Sequence, residues 1–148
     1  MLFFLLHCIF LFLIILLLII CTICYTYLVY QAKYNNAKQI NAAFQKYYNK
    51  KIYGADLATA INKAIDYNTK NGIEKNKDSL FIENETNSIK INIKMIDKDN
   101  TYPMEKIAAS GIEKFIDYYN KIQFECTDIQ YHTNTNMVKS LLFEQITT

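Results

Sequence analysis

The first part of the chain is an uninterrupted apolar run. No side chain from Leu2 to Cys24 is charged, and the only polar side chains in the run are those of His7 and Thr22. A helix needs roughly 20 residues to cross about 30 Å of hydrocarbon. The run therefore predicts a helix that spans a membrane once, with the lipid bilayer as its partner.

The residues that follow this run are typical of a membrane–water interface. Tyrosine is enriched where a span meets the lipid headgroups, and lysine is rare inside the hydrocarbon. We predict that four residues lie at this interface: Tyr25, Tyr27, Tyr30 and Lys33.

A cleaved signal peptide is the competing interpretation of the apolar run. Such a peptide has an apolar region of about 7–15 residues, preceded by positive charge and followed by small residues. Here the run is longer, no lysine precedes it, and bulky residues follow. A lipoprotein site needs a small residue before its cysteine, but Ile20 precedes Cys21 and Ile23 precedes Cys24. We therefore expect an uncleaved signal-anchor.

Helical periodicity continues beyond the apolar run. Ala37, Ile40, Phe44 and Tyr47 recur at spacings of three, four and three, with polar residues between them. This stripe predicts an amphipathic helix that continues to about residue 50. A coiled coil would use the same stripe, but it covers too few heptads to be preferred.

Two more helices are predicted in the rest of the chain. Residues 55–71 place Leu57, Ile61 and Ile65 on one face, and Gly72 can end that helix. The segment "DKDNTYPMEKIAASGIEKFIDYYNKI" is also helical in pattern, and Pro103 suits a first helical turn.

Gly111 interrupts the second of these helices. We predict either two short helices or one helix that bends at Gly111. Ser110 and Glu113 have the spacing of a capping box, in which each side chain binds a backbone amide of the other's residue.

Alternating residues predict two β-hairpins. The run "SIKINIKMID" alternates isoleucine or methionine with polar side chains, and "NETN" can turn it back onto "SLFIE", with Glu83 opposite Ser88. Residues 123–132 and 137–146 form the second pair, joined by "TNTN". A β-bulge near Thr127 and Asp128 would reconcile the two parities of the first of these strands.

The predicted fold class is therefore α+β. A transmembrane anchor, residues 1–30, continues into an amphipathic helical extension, residues 31–53. A small soluble domain, residues 54–148, then consists of an antiparallel sheet of two hairpins packed with helices.

Charge and composition exclude one class of partner. The chain has 16 lysines, no arginine and 14 carboxylates, for a formal net charge of +2. All of these charges lie after the apolar run, and the two signs are interspersed. Because no basic stripe with stacking aromatics is present, we expect no binding to nucleic acid.

The Cys-x-x-Cys pair, Cys21 and Cys24, has the spacing of a redox or metal motif. A reactive pair needs a stabilised thiolate, usually at a helix N-terminus or beside a cation, but this pair lies near the end of an apolar helix. A zinc site would need two more ligands, whereas Cys8 is about four turns away. We interpret these cysteines as apolar filling, and we expect no metal and no cofactor.

No catalytic constellation emerges from the soluble domain, so we do not expect an enzyme. Cys126 and His132 would lie about 20 Å apart on one strand, too far for a nucleophile–base pair. We interpret Cys126 as a core residue and His132 as a surface residue beside a turn. Glycine occurs only at positions 54, 72 and 111, which leaves no glycine-rich phosphate loop.

Carboxylate pairs and a sequon also have plainer explanations. The pair Asp97 and Asp99 in "DKDN" resembles the start of a calcium loop, but the glycine and final glutamate of an EF-hand are missing. A second pair is Glu83 and Glu85. The sequence "NET" at 84–86 matches a glycosylation sequon, which we interpret as an exposed turn.

Charge leaves the orientation in the membrane open. Lys33, Lys38 and Lys46 follow the span, which favours a cytoplasmic domain, but long domains are translocated largely regardless of charge. A single cysteine in the soluble domain fits a cytoplasm or a Gram-positive exterior equally well. Our working expectation is a single-pass protein of the cell membrane whose soluble domain, residues 54–148, lies outside the cytoplasm. We call this domain the head.

The layout resembles that of type IV pilins and pseudopilins, although the apolar segment carries no glutamate and no short basic leader ending in glycine precedes it. The stretches "IYGADLATAINKAIDYN" and "FECTDIQYHTNTNMVKSLLFEQ" also resemble small membrane-anchored proteins of low-GC Gram-positive bacteria. No activity comes with these resemblances. Because no catalytic constellation is present in the sequence, we expect a non-enzymatic protein whose head binds other envelope or membrane proteins, or its own copies. The alternative is a membrane-tethered ligand-binding or sensory domain.

Overall fold

The structure is a computed structural model that describes residues 1–96 and 100–146, apart from the side chain of Leu2. Its packing divides the chain into two compact units, Met1–Asn36 and Ala37–Thr148. The elements, in chain order, are α1 (Leu2–Gln45), β1 (Lys51–Tyr53), α2 (Gly54–Lys70), β2 (Lys90–Lys94), β3 (Thr101–Pro103), α3 (Met104–Tyr119), β4 (Gln123–Tyr131) and β5 (Val138–Gln145). The α+β class is confirmed.

Helix α1 ends before the predicted limit of about residue 50. Phe44 and Tyr47 are buried as the amphipathic stripe requires, but Asn49 has a φ of 55° and breaks the helical path. The Asn49 amide donates to the carbonyl oxygen of Cys126 at 2.9 Å, and strand β1 then pairs with β4. Sheet pairing thus satisfies the backbone groups that a longer helix would have used.

The five strands form one sheet in the order β1-β4-β5-β2-β3. Three pairings are antiparallel, but β2 and β5 are parallel. The sheet is therefore mixed, where the alternation had predicted an antiparallel one. The second predicted hairpin is confirmed as β4 and β5, and its bulge lies between Cys126 and Asp128 as expected.

The first predicted hairpin is wrong. Strand β2 pairs with β3 and β5, and the segment 80–83 contributes only an isolated bridge between Lys75 and Phe81. Side chains satisfy the backbone here instead of a strand ladder. The Phe81 amide donates to Glu105 Oε1 at 3.0 Å, and Asn84 Oδ1 accepts the backbone amides of residues 86, 87 and 88.

The buried amide of Asn68 sets the start of β2. Its Nδ2 donates to the carbonyl oxygen of Ile89 at 2.7 Å, and its Oδ1 accepts the Ile89 amide at 2.9 Å. Asn68 is fully buried, so both bonds are shielded from water. This two-point contact joins α2 to the sheet directly before Lys90.

The hydrophobic core lies on one face of the sheet. Alternate strand residues point into it together with residues of the helices, among them Leu57, Ile61, Ile91, Ile93, Phe115, Leu141 and Phe143. The strand residues of opposite parity are exposed or half-buried. We call their surface the open face.

Helix α3 bends where the sequence predicted. Gly111 adopts φ 102° and ψ 112°, outside the helical range. Residues 101–103 were predicted to belong to this helix, which is wrong, because they form strand β3 and pair with β2. Pro103 is therefore the N-cap residue, one position ahead of the helix. The capping box is not formed, because Ser110 Oγ donates back to the carbonyl oxygen of Ile107 at 2.8 Å.

We predict that Gly54→Ala destabilises the protein by about 3 kcal/mol, the upper range for overpacking. Gly54 opens α2 against the end of α3, and a Cβ there would overlap the carbonyl oxygen of Tyr119. Urea unfolding of the full chain in detergent would measure the loss. The control is Gly72→Ala, where a Cβ meets open space and only the φ of 65° adds strain. Equal losses for both variants would contradict the close contact.

Candidate functional site

Helix α1 is the candidate membrane-binding element. The segment Phe3–Gln45 is long and apolar enough to cross a membrane, and none of its most apolar window is buried in the protein. Side chains such as Phe3 and Leu17 are 86% and 61% exposed. By length and composition the helix fits a membrane anchor, and a signal sequence near an N-terminus meets the same criterion.

Two threonine hydroxyls in this helix form hydrogen bonds within the helix. Thr22 Oγ1 donates to the carbonyl oxygen of Ile19 at 2.8 Å, and Thr26 Oγ1 donates to that of Ile23 at 2.9 Å. Such bonds leave no hydroxyl hydrogen to be satisfied by the surroundings, which is what hydrocarbon requires.

The four predicted interface residues are all exposed on α1. Tyr27 also accepts a hydrogen bond from Gln31 Nε2 at 3.2 Å. Their contact with lipid headgroups stays a prediction: Tyr25, Tyr27, Tyr30 and Lys33.

The cysteines of α1 lie on its surface. Cys8, Cys21 and Cys24 are free and exposed. Within residues 1–96 and 100–146, no group of three or more histidine, cysteine or acidic side chains is placed to hold a metal ion. The pair Asp97 and Asp99 lies outside the described residues.

The structure places Cys126 and His132 in the interior. Cys126 is fully buried as predicted; this desolvation raises the pKa of its thiol to about 12, and the carboxylate of Asp128 adds to the rise. His132 was predicted at the surface, which is wrong, because only 2% of it is exposed. Its Nε2 lies 2.7 Å from the carbonyl oxygen of Ser88, and this hydrogen bond offsets the cost of removing the imidazole from water.

The Asn84 sequon has a structural role. Its side chain is used within the turn, since Nδ2 donates to Asn87 Oδ1 at 2.7 Å while Oδ1 accepts three backbone amides. Thr135 Oγ1 donates to the carbonyl oxygen of Thr86 at 2.6 Å, which joins this turn to the β4–β5 hairpin.

The head carries a polar concavity of about 410 Å³ on its open face. Its floor consists of two rows of cross-strand neighbours taken from β2, β5 and β4. The first row is Lys90, Ser140 and Gln130, and the second is Asn92, Leu142 and Asp128. Its rim includes Leu80, Glu83, Pro103 and Glu105. We call this the sheet concavity.

An ion-pair triad forms one end of the sheet concavity. Glu83 Oε1 lies 2.6 Å from Lys139 Nζ, and Glu83 Oε2 lies 3.4 Å from Lys90 Nζ. The hydrogen bond from Lys139, with help from Lys90, lowers the pKa of the Glu83 carboxyl. At neutral pH the carboxylate is therefore charged and held by two lysines.

Sequence reasoning did not find this concavity. The spacing of Lys90 and Asn92 showed a wet strand face, but the position of Ser140, Leu142 and Asp128 beside them depends on the parallel pairing of β2 with β5. Only the shared exposure of alternate residues in both strands could have indicated it.

Comparison with known proteins gives no relative to reason from: no family model, no curated protein and no solved structure matches the chain.

We predict that Cys126 resists alkylation in the folded protein. A pKa raised from 9.0 to about 12 reduces the thiolate roughly a thousandfold, and the thiolate is the nucleophile. In a variant with Cys8, Cys21 and Cys24 changed to alanine, iodoacetamide at pH 8 should modify Cys126 only after unfolding in urea, as mass spectrometry would show. Comparable rates in the folded and unfolded protein would contradict its burial.

Proposed function

We propose that this chain is a single-pass, membrane-anchored, non-enzymatic protein whose head binds other proteins, as a subunit of an envelope assembly with a pilin-like layout. The observation that carries the proposal is the apolar part of α1, whose most apolar window is not buried by the rest of the protein. An exposed apolar surface of this length needs a membrane or a partner to cover it.

The head supplies the second part of the proposal. Its core is closed on the helical side of the sheet, and its open face presents charged and polar side chains to the surroundings. A mixed polar surface with a small apolar centre is typical of interfaces that form reversibly. In this arrangement the anchor confines the protein to the bilayer and the open face meets the partner.

A second candidate is a membrane-tethered ligand-binding or sensory domain. The sheet concavity favours it, because several polar side chains converge there around Leu142. No tyrosine lines this concavity in the described part of the chain.

We predict that the full chain stays in the membrane fraction after alkaline carbonate extraction and keeps its full mass. The double variant Leu13→Lys/Leu17→Lys should lose this retention, because each lysine costs about 2.5–3.5 kcal/mol at the centre of a span. Lys33→Gln is the matched control and should be retained. Release of the unchanged protein would contradict an anchor, and a mass that lacks the apolar run would identify a signal sequence.

We predict that a membrane-impermeant, amine-reactive crosslinker joins the head to a partner in intact cells. Exposed head lysines such as Lys63 and Lys114 supply the amines. A crosslinked product larger than the monomer supports both the binding role and a head outside the cytoplasm. Products that form only after permeabilisation would place the head inside, and recovery of monomer under both conditions would contradict protein binding.

A further inference from the structure

The sheet concavity carries opposite charges on its floor. Lys90 lies in the first row on β2, and Asp128 lies in the second row on β4. Two strand spacings of about 4.8 Å and two residue rises of about 3.3 Å separate them, so their Cα atoms are about 12 Å apart. The lysine side chain is flexible, so the distance between the two charges can adjust to a ligand.

Lys90 is available to a second anion. Glu83 lies 2.6 Å from Lys139 but 3.4 Å from Lys90, so the carboxylate keeps its closer partner when Lys90 turns away. When Lys90 leaves this triad, the Glu83 carboxylate is not left as an unpaired buried charge, since its side chain is 39% exposed and Lys139 stays beside it.

Asp128 is available to a cation. Gln130 Nε2 donates to its Oδ2 at 3.0 Å, and within residues 1–96 and 100–146 no lysine or histidine forms an ion pair with it. Its carboxylate lies at an exposed position on the floor of the sheet concavity.

Polar side chains without a hydrogen bond flank the line that joins the two charged residues. Asn92 and Ser140 are half-buried, and in the described part of the chain neither side chain makes a hydrogen bond. An amide and a hydroxyl together offer donors and acceptors that match the backbone of a peptide. Leu142 provides an apolar surface between them.

We propose that the sheet concavity binds a short zwitterionic peptide of two or three residues, with Lys90 taking its terminal carboxylate and Asp128 its terminal ammonium. The inference rests on the second candidate function, the tethered ligand-binding domain. An extended peptide covers about 3.3–3.6 Å per residue, so a tripeptide is comparable in length to the Cα separation of about 12 Å between Lys90 and Asp128. Asn92 and Ser140 hydrogen-bond to its central amide groups.

The test is an amide NMR titration of the full chain in detergent micelles with triglycine. Two analogues remove one charge each: N-acetyltriglycine lacks the ammonium, and triglycinamide lacks the carboxylate. Triglycine should shift the amide signals of Ser140, Gln130 and Asn92, and each analogue should bind at least threefold more weakly.

Variants assign each charge to one side chain. Lys90→Gln should weaken triglycine at least threefold and leave triglycinamide unchanged, whereas Asp128→Asn should weaken triglycine and leave N-acetyltriglycine unchanged. Lys63→Gln and Asp117→Asn change exposed residues of α2 and α3 that form no salt bridge with any residue that the structure describes, and they should leave the binding of all three ligands unaffected.

Three results would overturn the proposal: no shifts up to about 50 mM triglycine, equal affinity for all three ligands, or shifts outside the sheet concavity. These results are separate from failure of the anchor, which carbonate extraction reports. They are also separate from failure of protein binding, which crosslinking reports.

Discussion

The parallel pairing of β2 with β5 is the contact on which the rest of the head depends. It joins the strands β1, β4 and β5 to the pair β2 and β3, and so makes one five-stranded sheet. Ile91 and Ile93 then lie beside Leu141 and Phe143 on the core side, while Lys90 and Asn92 lie beside Ser140 and Leu142 on the open side. The same strand register thus determines both which residues enter the core and which residues line the sheet concavity.

Polar side chains fix this register by hydrogen bonds to the backbone next to β2 and β5. Asn68 binds the backbone of Ile89 at two points, and His132 binds the carbonyl oxygen of Ser88. Asn41 adds a third contact, since its Nδ2 donates to the carbonyl oxygen of Asn136 and its Oδ1 accepts the Val138 amide. A slip of one residue would break these bonds and turn Ile91 and Ile93 toward water.

Local patterns in the sequence were sufficient for α2, α3 and the hairpin of β4 and β5, and insufficient for β1, β3 and the partners of β2. Helix α2, the bend at Gly111 and the bulge beside Asp128 follow from residues close in the chain, and each prediction is confirmed. The parallel pair was missed because a wet strand face usually indicates an antiparallel sheet. The burial of His132 was missed for a related reason: its partner, Ser88, lies 44 positions away, and the pattern around a histidine does not reveal a distant carbonyl group. The sheet concavity could not be predicted from the sequence for the same reason, since its two rows form only when β2, β5 and β4 pair in this register.

The ion triad explains how a charged floor can be stable without a ligand and still accept one. Glu83 shares its charge between Lys139 and Lys90, which lowers the pKa of its carboxyl. When an incoming anion takes Lys90, Glu83 loses the weaker of its two partners, and its pKa moves back toward the ordinary value from below. Proton uptake by Glu83 would then accompany binding only in acid, where the carboxyl titrates, and would be absent at neutral pH because the carboxylate stays ionised in both states. Binding of an anion through Lys90 should therefore be independent of pH near 7.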